Sequence, residues 1–117
     1  MNEVASIRGR HSGRSRHVAR THAITLAEAR SYVAALADVA QTFDASVEYE
    51  RVLLQLDWIH GDDAPALDTA GLTDHRDVLF AVATSAIEEL ADYHGVDGLQ
   101  IELVLDMLEA ARDKDEP

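Results

Sequence analysis

The stretch Asp44-Ala-Ser-Val-Glu-Tyr-Glu-Arg-Val-Leu-Leu-Gln-Leu-Asp-Trp-Ile-His-Gly61 decides the fold. Wound at about 3.6 residues per turn, it brings Tyr49, Val52, Leu53, Leu56 and Ile59 to one side, the spacing of a buried helical stripe. Glu48, Arg51 and Gln55 collect on a polar edge. Val47, Leu54 and Trp58, the one tryptophan of the chain, form a second apolar strip roughly opposite the first. A helix apolar on two sides must touch two things, which places it centrally in a bundle or at a contact between chains. Val47, Leu54 and Trp58 are therefore the candidate protein interface, because an aromatic anchor in an apolar strip is the usual chemistry of a hot spot.

On the N-terminal side the same periodicity continues. Thr25-Leu-Ala-Glu28 reads as a capping box opening a helix, and Leu26, Ala29, Val33, Leu36, Ala40 and Phe43 follow at 3–4 spacing. Ala27, Ala34, Ala35 and Ala37 widen a small-residue surface that admits a close neighbour. The link to the next helix is short, with Asp44 or Ser46 as N-cap, so the two helices are expected to pack as an antiparallel hairpin.

On the C-terminal side Gly61 is placed to end the central helix. Residues 61–73, with the internal Pro65 and two glycines, read as a surface loop that reverses direction, pinned by Leu67 and Leu72. A third helix is expected from Thr73 or Asp74 to His94, with Leu79, Val82, Ala83, Ala86, Leu90 and Tyr93 on its apolar face. A fourth is expected from Asp97, with Gln100 closing a second capping box, to about Arg112. Leu99, Ile101, Leu103, Leu105 and Met107 also alternate with a period of two, so a strand is the competing reading there. The polar edge of Glu102, Asp106, Glu109 and Asp113 favours the helix.

The expected architecture is all-α: a small four-helix bundle of two helical hairpins over residues 23–113. A flexible arginine-rich arm over residues 1–22 precedes it and a frayed tail over residues 114–117 follows. At 117 residues and 47% hydrophobic, the chain is sized for one domain with one core.

Charge is the most unusual property, at −12. Residues 1–22 carry five arginines against Glu3, a local +4, while residues 23–117 carry five basic and 21 acidic side chains, a local −16. Lys114 is the one lysine. An acidic, lysine-poor surface suits a high-salt environment, where self-repulsion is screened; the sharper reading is an acidic body that meets a basic partner. Arg8, Arg10, Arg14, Arg16 and Arg20 are candidate contacts to phosphates of a nucleic acid or another polyanion. Against this stand a solvated arm and, ranked last, a targeting segment.

No reactive cluster emerges. With no cysteine, disulfides, thiolate metal sites and a cysteine nucleophile are excluded. Asp57 and His60, three apart, are the best metal pair, but the Glu-x-x-His motifs of bundle metal enzymes do not occur. Asp62 and Asp63 lack calcium-loop spacing. Glu50 and Asp57 fall between the apolar strips, where either is a candidate acid–base group or, preferably, an ion-pair partner of Arg30 or Arg76. There is no phosphate loop, no nucleophile elbow and no basic recognition helix. No catalytic, cofactor or metal residue is therefore assigned.

In shape and charge the chain resembles nuclease-immunity proteins, phage-encoded inhibitors and other small regulators, a likeness that transfers no residues. The expected function is a non-enzymatic interaction or structural protein that self-associates or docks in a larger assembly, its arm on an anionic partner. The alternative is an acidic inhibitor or antitoxin-like protein that blocks a basic partner, with a bundle metal enzyme last. No membrane partner is expected. The expected place is the cytoplasm or a particle assembled there.

Overall fold

The computed structural model describes residues 4–60, 69, 71–93 and 96–115, with side chains from residue 22 onward and without that of His60. Four helices form: α1 (Val4–Val39), α2 (Phe43–His60), α3 (Arg76–Leu90) and α4 (Gly98–Lys114). No strand occurs among the described residues. The alternation of Leu99 to Met107 is thus overruled by the helical period, which buries Ile101, Val104, Leu108 and Ala111 together.

The helices close a ring in which α1 and α4 each pack on both α2 and α3, leaving α1 diagonal to α4 and α2 diagonal to α3. Hydrogen bonds fix the directions. At one end, the Gln41 backbone N–H donates to Asp115 Oδ1 at 2.6 Å, and Thr42 Oγ1 donates to the Lys114 carbonyl at 2.8 Å. Arg76, the first residue of α3, reaches Asp115 Oδ2 at the same end, at 2.9 Å. Toward the other end, Thr25 Oγ1 meets the Tyr93 hydroxyl at 3.1 Å, and Gln55 Nε2 donates to Gln100 Oε1 at 3.2 Å. Every pair of neighbours is therefore antiparallel, and α2 and α3 run the same way.

That direction corrects the expected reversal in the loop. α3 starts at the end of the bundle where α2 started, so the distance from the end of α2 to the start of α3 is about the length of α2. The distance is modest: α2, with 18 residues, is roughly 27 Å long, and residues 61–75 reach roughly 50 Å when extended. Leu72 packs against the core, as expected; Leu67 lies outside the described residues.

The core is the predicted stripe of α2 set against three others. Tyr49, Val52, Leu53 and Leu56 are buried, with Leu26, Ala29, Val33 and Leu36 from α1. From α3 come Leu79, Ala83, Ala86, Ile87 and Leu90. Val82, expected on that face, is half-buried, and Ile87 takes a core place that the sequence reading left out. Ala29, Ala83 and Ala86 are closed to solvent, and such small residues let α1 and α3 make the most extensive contact of the bundle.

Several boundaries differ from expectation. α1 begins at Val4 and not at Thr25, so the Thr25 capping box does not form. Thr25 is buried inside the helix, with its hydroxyl on Tyr93. Helix propagation adds a hydrogen bond for each residue fixed, and the cost of Gly9 and Gly13, about 1 kcal/mol each, does not by itself stop it. Residues 1–3 of the expected arm lie outside the described residues, as do the side chains of residues 4–21. α1 ends at Val39, so Phe43, expected on the seam of α1, opens α2 instead and is 82% exposed. The N-cap of α2 is Thr42, whose Oγ1 accepts from the Ala45 N–H at 3.1 Å, in place of Asp44 or Ser46. Ser46 donates to the Ala37 carbonyl and ties the hairpin. Asp97 caps α4 as expected, accepting from the Leu99 N–H, while Gln100 is engaged by Gln55 and does not close a box. Nor does the tail fray at residue 114: α4 is helical through Lys114, and Asp115 is buried.

Candidate interaction surface and end pocket

The outward face of α2 presents the predicted strip. Leu54 is 68% exposed and Trp58 81%, while Val47 is half-buried. Leu54, Gln55 and Trp58 share a shallow groove with Arg51 and with Met107 of α4. Leu103, one turn from Met107, and Leu99, a turn further on, are exposed large apolar residues on the same helix. The Gln55–Gln100 bond ties α2 to α4 beside them. Among the described residues Leu54 and Trp58 stay open to solvent, while the opposite stripe of α2 fills the core.

A second groove follows the slightest helix contact, between α3 and α4. Leu99, Ile101 and Leu105 line its apolar part, and Glu88, Asp97 and Glu102 supply carboxylates.

The third feature was not legible in advance. Where α3 starts and α4 ends, Tyr49, Arg76, Asp77, Phe80, Arg112 and Asp115 surround a pocket of about 110 Å³. Asp115, with a side chain 3% exposed, is held by Arg76 and by the Gln41 N–H. The Arg112 guanidinium lies 4.5 Å from the centre of the Phe80 ring, a cation–π contact, and has no ion-pair partner among the described residues. Tyr49 is 1% exposed; burial, reinforced by the Asp115 charge and opposed by Arg76 and Arg112, pushes its phenol up to about 12. Periodicity read Tyr49 as core, which its ring is. The signal available was its hydroxyl, which in a buried tyrosine calls for a polar or wet end.

The remaining candidates sort clearly. Of the two carboxylates between the strips, Glu50 is exposed and Asp57 pairs with Arg30, as the structural reading expected. The same Asp57 carboxylate is half of the Asp57–His60 metal pair, and here it is engaged by Arg30. His60's side chain lies outside the described residues, as do Asp62 and Asp63. No group of three or more metal-ligating side chains occurs among the described residues. Arg8, Arg10, Arg14, Arg16 and Arg20 stand on the α1 backbone, with side chains outside the description. No described helix is long and apolar enough to cross a membrane.

Comparison with protein-family models, with curated proteins and with solved structures finds no match to this chain.

Proposed function

We propose that the chain is a non-enzymatic interaction protein that associates through the outward face of α2, with the arginine-rich start of α1 meeting an anionic neighbour. The observation that carries this reading is Trp58, 81% exposed beside Leu54 and Met107 on a helix whose other face fills the core. Covering one tryptophan removes about 150–250 Å² from water, worth roughly 4–6 kcal/mol before the entropy of association is charged. The favoured association is with a second copy or a larger assembly.

Size-exclusion chromatography with light scattering tests it, at low and high salt, on the wild type and on Trp58→Ala. The expected result is an associated wild type and a dissociated variant. A monomer at every concentration, unchanged by the substitution, removes self-association. For the arm, deletion of residues 1–22 is expected to abolish retention on heparin or nucleic acid; unchanged retention removes the polyanion contact.

The α3–α4 groove favours a second reading, a basic partner received by Glu88, Asp97 and Glu102 over an apolar floor, in the manner of an inhibitor. Capture by a basic partner that weakens steeply with salt and with charge reversal at Glu88 and Asp92 would select it.

A further inference from the structure

The pocket at the α3-start end combines three kinds of donor. Tyr49 lies more than nine-tenths buried, its hydroxyl makes no hydrogen bond among the described residues, and it lines the pocket. Arg76 uses Nη1 on Asp115, which leaves its Nε and Nη2. Arg112 lies over the Phe80 ring and makes no ion pair among the described residues, which leaves its N–H groups for a ligand. A fourth contribution comes from the backbone. α3 begins at Arg76 beneath an N-cap, His75, whose side chain makes no capping bond, so its first N–H groups face this end with the positive pole of the helix. Asp115 already shows how the end takes a carboxylate: one oxygen on a backbone N–H, the other on a guanidinium.

From this we infer that the pocket is a second carboxylate site, in which a monoanionic carboxylate accepts from Tyr49, Arg76 and Arg112 beside the resident Asp115. The size fits one such group. About 110 Å³ is the space of a few water molecules and not of a whole metabolite. Charge decides against phosphate. Asp77 and Asp115 line the same pocket and a strongly acidic body surrounds it, so a dianion meets repulsion that a single charge meets only in part. The guanidinium fork matches the two-oxygen edge of a carboxylate and of a phosphate alike, so charge and size carry the choice. The ligand is a small free acid or the terminal carboxylate of a peptide; the chemistry is shared and the source is a matter for experiment. The site is independent of the α2 surface, which lies on the flank of the bundle.

Nuclear magnetic resonance titration of the nitrogen-labelled full chain tests the inference, with acetate as probe and chloride at equal ionic strength as reference. Saturable shifts at the start of α3, the end of α4 and Tyr49 are expected with acetate. Arg112→Gln, on an exposed side chain, and Tyr49→Phe, which keeps the ring, are each expected to weaken binding about tenfold or more, the usual worth of a charge-assisted hydrogen bond. A tripeptide with a free C-terminus and its amidated twin separate the sources. Saturation by acetate alone supports a small acid, and saturation by the free-carboxyl peptide supports a peptide end. Shifts equal to those of chloride, shifts indifferent to Arg112→Gln, or inorganic phosphate binding more tightly than acetate would each overturn the assignment.

Discussion

Arg30 of α1 meets Asp57 of α2 side-on, Nε to Oδ1 at 2.8 Å and Nη2 to Oδ2 at 3.4 Å. The arginine side chain is 12% exposed and the carboxylate 38%. The fork therefore closes the α1–α2 hairpin at the edge of the core, and the pair is worth more than a solvated surface bridge but less than a fully buried one.

Removing Asp57 leaves that guanidinium partly buried with a weakened partnership. Asp57→Ala is expected to cost about 1–3 kcal/mol in urea unfolding, against about 0.5 kcal/mol or less for the exposed Glu50→Ala. A double-mutant cycle with Arg30→Ala should return a coupling of about 1 kcal/mol. Equal effects of the two acidic substitutions would show the fork to be ornamental.

Asp115 joins the α1–α2 turn, the start of α3 and the end of α4. Asp115→Ala orphans the Gln41 N–H and strips Arg76 of its partner, for an expected loss of about 2–4 kcal/mol. Asp113→Ala, at an exposed position two residues earlier, is expected to change stability by about 0.5 kcal/mol or less. Thermal melts of the two variants compare them directly; a tail that frays would make them alike.

Tyr49 sets an alkaline limit. Its phenol is raised to about 12 in the fold against about 10 in an unfolded chain. Between those values the unfolded chain loses the proton and the folded one keeps it. The contribution is therefore whole below pH about 10 and is lost as pH rises toward 12. Spectrophotometric titration should show one phenol resisting ionisation to about that point, and Tyr49→Phe should abolish the late step. A Tyr49 that titrates with an ordinary phenol would contradict its burial.

His22 works at the acid side. Its ring stacks on Tyr93 at 4.6 Å with a 10° tilt, and desolvation lowers its pKa below the ordinary 6.5. Folding thus favours the neutral ring: the contribution is present above pH about 6.5 and fades as pH falls through the folded value. Melting temperature should drop between pH 7 and pH 5, and His22→Phe should flatten that slope. A slope unaltered by the substitution would assign the acid sensitivity to other groups.

Much was legible in the chain by itself because hydrophobic period is a local property. The stripe from Tyr49 to Leu56, the outward Leu54 and Trp58, and the Asp97 cap each rest on residues a few positions apart, and helical geometry alone relates them. So does the class, since no local signal for a sheet competes with those periods once Leu99–Met107 is wound as a helix. The preference for an ion pair at Asp57 rests on the same local geometry, its place between two strips of one helix, but the choice of Arg30 over Arg76 does not.

What the tertiary structure alone decided lies between residues far apart in the chain. Nothing near Asp115 announces Gln41 and Arg76, and Thr25 carries every local mark of a cap yet gives its hydroxyl to Tyr93, 68 positions away. The parallel course of α2 and α3, and with it the pocket around Tyr49, depends on which helix ends are brought together. Periodicity states which face of a helix avoids water. It does not state which other face will cover it, and side chains at the ends, where backbone groups need partners, are assigned only when the whole set of helices packs at once.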